Sequence, residues 1–183
     1  MEFIKTKLDG AYIIKPQVFE DSRGFFLESY SKKKFEEAGI TADFVQDNHS
    51  LSKEKGVLRG LHFQLPPFTQ TKLIRVTRGK VYDVIVDLRK DSPTFKAWQG
   101  FELSAGNFEM LLIPKGFAHG FATLEENTEF MYKVDEFYAP DSEGGIIWND
   151  KDLAIDWPVE NPILSDKDQK NPTFEEFLRN NPF

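Results

Sequence analysis

The chain has 183 residues, 40% of them hydrophobic and 29% charged, a composition suited to one ordinary globular domain, residues 1–183, around a single core. Its 30 acidic against 23 basic residues give a net charge of −7; without a segregated basic face that balance repels nucleic acid. No cysteine is present, which excludes a disulfide framework and a thiolate nucleophile.

The opening "MEFIKTKLDG" is charged and lacks the apolar segment of a signal peptide, and no apolar run in the chain approaches bilayer length. The cytoplasm is therefore the expected compartment, with no membrane partner. Early strands are expected to lead into a short helix over "KKKFEEAG", capped by Ser31 and stopped by Gly39. "RGLHFQ" reads as a strand that carries Arg59 and His62. In "KLIRVTRGKVYDVIVDLR" two alternating apolar runs flank Arg78-Gly79, which predicts a β-hairpin with Tyr82, Val84, Val86 and Leu88 on one face. The cations Arg59, Lys72, Arg75 and Arg78 suit a local pocket for a small anion; they read equally well as solvated positions balanced by neighbouring acids.

Further along, Phe108, Met110 and Leu112 alternate with Glu109, Leu111 and Ile113 up to the breaker Pro114-Lys115-Gly116. His119 follows that turn. In "TEFMYKVDEFYAP" Phe130, Tyr132 and Val134 share an inward face, opposite Met131, Lys133 and Asp135. "NPILSDKDQKNP" is a polar loop that a core does not require. Behind it, Thr173 and Glu176 have capping-box spacing at the start of a C-terminal helical tail. Short, evenly spaced strands with a few peripheral helices describe an all-β sandwich or barrel, and no repeat or linker divides it.

Neither a G-x-G-x-x-G turn, a Walker loop nor a G-x-S-x-G elbow occurs, which argues against hydride transfer, nucleotide hydrolysis and serine acyl chemistry. His62, His119 and Tyr132 are each explicable alone as packed residues. Together they allow more: an imidazole base oriented by a carboxylate, a phenol across the cavity and a cation beside a developing oxyanion fit proton abstraction next to a carbonyl. The competing reading is a metal barrel in which His49, His62 and His119 converge with a carboxylate. Against it, "LHFQL" has Gln64 where the second histidine of an H-x-H pair would stand.

Six blocks, "DSRGFFLESY", "FVQDNHSLSKEKGVLRGLHFQ", "QTKLIRVTRGKVYDVIVDLRKDSPTF", "IPKGFAHGF", "YKVDEFYAPDSEGGIIWND" and "LSDKDQ", closely resemble the dTDP-4-dehydrorhamnose 3,5-epimerase family, in order and over most of the chain. The resemblance implies a cupin-like jelly roll, a homodimer, no metal and no organic cofactor. It also implies a dTDP-linked 4-keto-6-deoxyhexose substrate, inverted at C3 and C5. The alternative is a single-centre C3 or C5 epimerase of another nucleotide-linked 4-keto-deoxysugar. By the same resemblance His62 is the base, Asp168 its carboxylate partner, Tyr132 the opposite-face acid and Lys72 the cation that stabilises the enolate. Arg23 and Arg59 look like diphosphate clamps, which suits guanidinium geometry. Phe26, Glu28, Gln46, Asn48, Glu143 and Lys167 fall on positions that line the nucleotide and sugar cleft, Tyr138 resembles a stacking surface for thymine, and His119 a contact to the sugar.

Overall fold

The computed structural model describes all 183 residues, Met1–Phe183. Its strands are β1 (Glu2–Lys5), β2 (Tyr12–Lys15), β3 (Val18–Asp21), β4 (Gly24–Leu27), β5 (Gln46–Ser52), β6 (Leu58–Gln64) and β7 (Lys72–Arg78). They continue with β8 (Lys80–Asp87), β9 (Trp98–Ser104), β10 (Met110–Ile113), β11 (Phe117–Thr123), β12 (Thr128–Val134) and β13 (Glu143–Gly145). Two short helices, α1 (Lys32–Glu37) and α2 (Phe174–Leu178), lie at the periphery. One sheet runs β1-β2-β10-β7-β12-β5 and the other β13-β6-β11-β8-β9, while β3 and β4 form a separate ribbon. The two sheets face each other as a jelly-roll barrel.

Ile74 and Val76 from one sheet meet Val81, Ile85, Leu103 and Phe121 from the other in the central core. On the far side of the second sheet, Val84, Val86, Leu88 and Ala118 pack beneath Ile146, Leu153, Trp157 and Phe174 of the C-terminal segment. β8 is therefore buried on both faces, which is why its apolar residues Val84, Ile85 and Val86 run consecutively. The shared face of Tyr82, Val84, Val86 and Leu88 forms as expected. So does that of Phe130 and Val134, with Tyr132 partly buried between them. Outside the first sheet, Phe35 of α1 seals a third cluster with Ile14, Leu73, Met110 and Leu112.

The expected hairpin at Arg78-Gly79 is instead a corner between sheets. β7 bonds to β10 and β12, whereas β8 bonds to β11 and β9. Each run carries an apolar face that must meet the other sheet across the core, so Val76 and Val81 face one another instead of pairing edge to edge. Gly79 turns the corner with φ 74°, and a Cβ there would lie 2.4 Å from Thr128 Oγ1, a left-handed close approach open only to glycine. The helix signals hold with one change. Gly39 stops α1 with φ 81° and the Thr173/Glu176 capping box forms on α2, but the Ser31 side chain makes no capping bond. Phe108 lies outside β10, with φ 56°.

Candidate active site

A cavity of about 650 Å³ opens between the sheets, within the size range of small-molecule sites. Its floor is aromatic: Phe121 and Phe130 stack at 4.2 Å, and His119 lies over Phe130 at 6.1 Å. Asn48, Arg59, His62, Lys72 and Tyr132 form the walls, with Tyr138, Glu143 and Lys167 also lining it.

A β-bulge aims Arg59 and His62 of β6. His62 is opposite His119, yet Arg59 is opposite Phe121, so β6 carries one extra residue and both Arg59 and His62 reach the cavity, three positions apart. Gly60 makes this packing feasible. Its φ is 121°, and a Cβ would lie 2.6 Å from the Gly120 Cα on β11.

His62 Nε2 lies 2.5 Å from Asp168 Oδ1. The second carboxylate oxygen accepts from Ser165 Oγ at 2.7 Å, and the same hydroxyl accepts from the Asp168 amide. Burial pushes the Asp168 carboxyl up, but the bonds from His62 and Ser165 outweigh it and hold the group below the usual aspartate range. An ionised carboxylate only accepts, so the imidazole proton sits on Nε2 and donates to it. In the neutral ring this leaves Nδ1 with its lone pair, the form a base requires. The polar loop that the core does not need is thus the segment that delivers this carboxylate, buried at 3% exposure.

Tyr132 stands on β12 opposite Asn48 of β5 and Ile74 of β7. Burial raises its phenol above the ordinary value, Glu143 adds to this and Arg59 opposes it, so the hydroxyl stays protonated at neutral pH. The Lys72 ammonium lies 6.0 Å from the centre of the Tyr132 ring. Burial lowers its pKa to about 8, against the pull of Asp83 and Glu143. His119 Nε2 is 2.9 Å from Asp83 Oδ2, with both residues buried. Burial lowers the His119 pKa, and Asp83 only partly offsets this.

Lys167 and Glu143 form an ion pair, and the Tyr138 hydroxyl donates to Glu143 at 3.0 Å. Gln46 supports this group from outside the cavity: its amide donates to Asn48 Oδ1 at 2.9 Å, and its oxygen accepts from the Tyr138 amide at 3.2 Å. Besides Gln46, three more expected site residues do not reach the cavity. Arg23 pairs with Asp21, Glu28 pairs with Lys34, and Phe26 is 71% exposed, all on or beside the β3–β4 ribbon. The histidines of the competing metal reading do not converge either. His49 pairs with Glu129, each of the other histidines has its own aspartate, and no three His, Asp or Glu side chains share a point. Gln64 pins a loop by donating to the carbonyls of Phe68 and Phe137.

Sequence reasoning missed Asp83 and Ser165. Asp83 had a legible signal, an acid on the alternating inward face of "VYDVIVD" between Val81 and Ile85. For Ser165, three residues before Asp168 in a polar loop, there was none.

The family model for dTDP-4-dehydrorhamnose 3,5-epimerase matches residues 5–176. A dTDP-4-dehydrorhamnose 3,5-epimerase of Shigella flexneri is 55% identical over 175 residues, covering 95% of this chain and 96% of that protein. The crystal structure of the enzyme of that name from Bacillus anthracis, with TDP and PPi bound, superposes with a TM-score of 0.93 at 59% identity, over 94% of this chain and 99% of the other. A dTDP-6-deoxy-D-glucose-3,5-epimerase from Legionella pneumophila, solved in complex with dTDP-4-keto-L-rhamnose, superposes with a TM-score of 0.91 at 48% identity, over 95% and 93% of the two chains. Sheet order, cavity and comparisons agree: this chain belongs to the dTDP-4-dehydrorhamnose 3,5-epimerase family, with its cupin-like fold.

Proposed function

We propose that this protein is a dTDP-4-dehydrorhamnose 3,5-epimerase, an isomerase that converts dTDP-4-keto-6-deoxy-D-glucose to dTDP-4-keto-L-rhamnose by acid-base chemistry. One observation carries the reading. In a single cavity, a buried ionised Asp168 holds the His62 proton on Nε2, opposite a protonated Tyr132 and beside the Lys72 ammonium.

C3 and C5 both flank the C4 ketone, so one pocket serves both. His62 Nδ1 takes the α-proton, and the C–H electron pair moves into the new carbon–carbon double bond as the carbonyl pair moves onto O4. Lys72 stabilises that enolate oxygen in a site that largely excludes water. The Tyr132 hydroxyl then gives its proton to the opposite face of the carbon, inverting it, and solvent exchange resets both groups. No step requires a metal or an organic cofactor. Arg59 and Lys167 supply local positive charge for the diphosphate in an otherwise acidic protein.

The working form is a homodimer of single-domain chains in the cytoplasm. Two features support a second copy. The ribbon exposes Phe19, Phe25 and Phe26 at 55%, 56% and 71%, and Arg23, Phe26 and Glu28, which the family resemblance assigns to substrate binding, lie outside their own chain's cavity. A partner's cavity is the site they would complete. No helix is long and apolar enough to cross a membrane.

The test is chelator-treated protein given dTDP-4-keto-6-deoxy-D-glucose in deuterated water, where deuterium is expected at both C3 and C5 of the product. Labelling at one carbon alone selects a single-centre epimerase, and activity that returns only on adding metal overturns the acid-base reading.

A further inference from the structure

Phe137, Tyr138 and Ala139 lie between β12 and β13 and join no sheet, and none of their three amides donates to a backbone carbonyl. Side chains hold them instead. The Phe137 amide donates to Glu136 Oε1 at 2.9 Å, that of Tyr138 to Gln46 Oε1 at 3.2 Å and that of Ala139 to Gln64 Oε1 at 2.8 Å. Yet this segment carries part of the cavity wall, because the Tyr138 ring lines the cavity while it is still 54% exposed.

Gln64 is the centre of that arrangement. It ends β6, two residues beyond His62 on the same face of the strand, but it lies outside the cavity lining and is buried at 6% exposure. Its amide nitrogen donates to the Phe68 carbonyl at 2.6 Å and to the Phe137 carbonyl at 3.2 Å, while its oxygen takes the Ala139 amide. One side chain thus ties the loop between β6 and β7 to both chain neighbours of Tyr138. A primary amide so deep is costly unless it is bonded, and all three of its bonds go to loop backbone, two of them across 73 and 75 residues of sequence. Tyr138 is also fixed at its far end, where its hydroxyl donates to Glu143 at 3.0 Å, and Glu143 is the register partner of Gln64 in the β13–β6 pair. A planar ring held at its backbone and at its hydroxyl has little freedom left to lose when a flat ligand stacks on it, which is the condition for preorganised binding.

We infer that Gln64 is a positioning residue for the nucleotide half of the substrate: by clamping Phe137 and Ala139 it presents the Tyr138 ring as a ready-made stacking wall, and so sets affinity and not proton transfer. The identity of the ligand rests on the proposed function. The clamp does not.

The experiment therefore has an arm free of ligand. Gln64→Met keeps the side-chain volume and removes the three bonds. Hydrogen exchange read by mass spectrometry is expected to quicken about tenfold or more over residues 136–140 in this variant, and an unchanged rate overturns the clamp. Titration calorimetry with dTDP is expected to give an affinity about tenfold weaker than that of wild type, and kinetics with dTDP-4-keto-6-deoxy-D-glucose a KM raised to match, with kcat within about threefold. A merely structural Gln64 lowers thermal stability and leaves affinity and KM in place, while a loss in kcat alone would mean that Gln64 acts on His62 along β6; either result overturns the inference. Tyr138→Ala supplies the coupling. If Gln64 acts through the ring, the double variant binds dTDP no more weakly than Tyr138→Ala alone, and additive losses overturn it. Should Gln64→Met fail to fold, exchange in the wild-type protein decides: the Tyr138 and Ala139 amides are expected to be protected, and free exchange with solvent sinks the clamp. Wild-type protein that binds no dTDP would overturn the proposed activity, an outcome distinct from a variant that binds as tightly as wild type, which overturns only the role of Gln64.

Discussion

His62 is partly exposed to the cavity and makes one side-chain bond, to Asp168, so its replacement tests chemistry more than packing. His62→Asn is expected to reduce deuterium exchange at C3 and C5 by about 100-fold or more, the usual weight of a general base, with thermal unfolding little changed; near-normal exchange in a folded variant would remove His62 from the base role. Tyr132→Phe separates two events. The enolate still forms, so exchange persists while inversion is lost much more severely, and equal loss of both would place the phenol in substrate positioning. Asp168 adds a pH signature. Its carboxyl is held low in the folded protein, so its stabilisation is complete above the unfolded aspartate value of about 4 and disappears as pH falls through the lower folded value. Comparing urea unfolding of wild type with Asp168→Asn should give a stability gap that is constant near neutrality and narrows in acid. A gap that stays flat into strong acid would deny the ionised pair. At this scale the sequence offers His62 and Tyr132 as candidates, because a histidine inside a strand and a phenol on an inward face stand out against the apolar alternation. Their partners are less legible: the Asp168 contact spans 106 residues, and no local spacing encodes it.

Elements follow local rules where the signal is local. The capping box of Thr173 and Glu176 satisfies the first amides of α2, and that helix seats Phe174 over the second sheet. Thr173→Ala should lower stability by about 1 kcal/mol without changing exchange kinetics, measured by chemical denaturation beside the deuterium assay. Gly79 belongs to the same scale with a different lesson. Its flanking runs were read correctly as strands, and the glycine as a turn, yet the partners were wrong, since alternation states which face is apolar and not which edge will bond. Gly79→Ala combines a left-handed backbone with a Cβ driven into Thr128, so a loss of about 2 kcal/mol or more is expected. A neutral result would mean that the corner has room to shift. The bulge in β6 was equally invisible in sequence, although Gly60 and Gly120 mark it. Without it, simple alternation would put Arg59 and His62 on opposite faces.

For the whole molecule, the ribbon decides the prediction. If β3 and β4 complete a partner's cavity, His62→Asn and Arg23→Ala chains, each poorly active alone, should regain activity when refolded as a mixture. The mixed dimer then contains one site with an intact cavity and an intact ribbon. No recovery, or a species at the single-chain mass of 21.1 kDa in sedimentation, would return the ribbon to its own chain. The sequence by itself determined what depends on neighbours along the chain: the all-β class, most strand faces, the glycine stop of α1, the cap of α2 and the residue types available for proton transfer. Its motif blocks also carried the family. Only the tertiary structure decided which sheet β7 and β8 join, that His62 and His119 face each other, that Asp83 bonds to His119, and that Arg23, Phe26 and Glu28 stand away from the cavity of their own chain. The reason is physical. Capping, turns and alternation are set within a few residues, whereas strand pairing and buried charge contacts are chosen by the global packing of apolar faces, which brings together residues as far apart as 62 and 168.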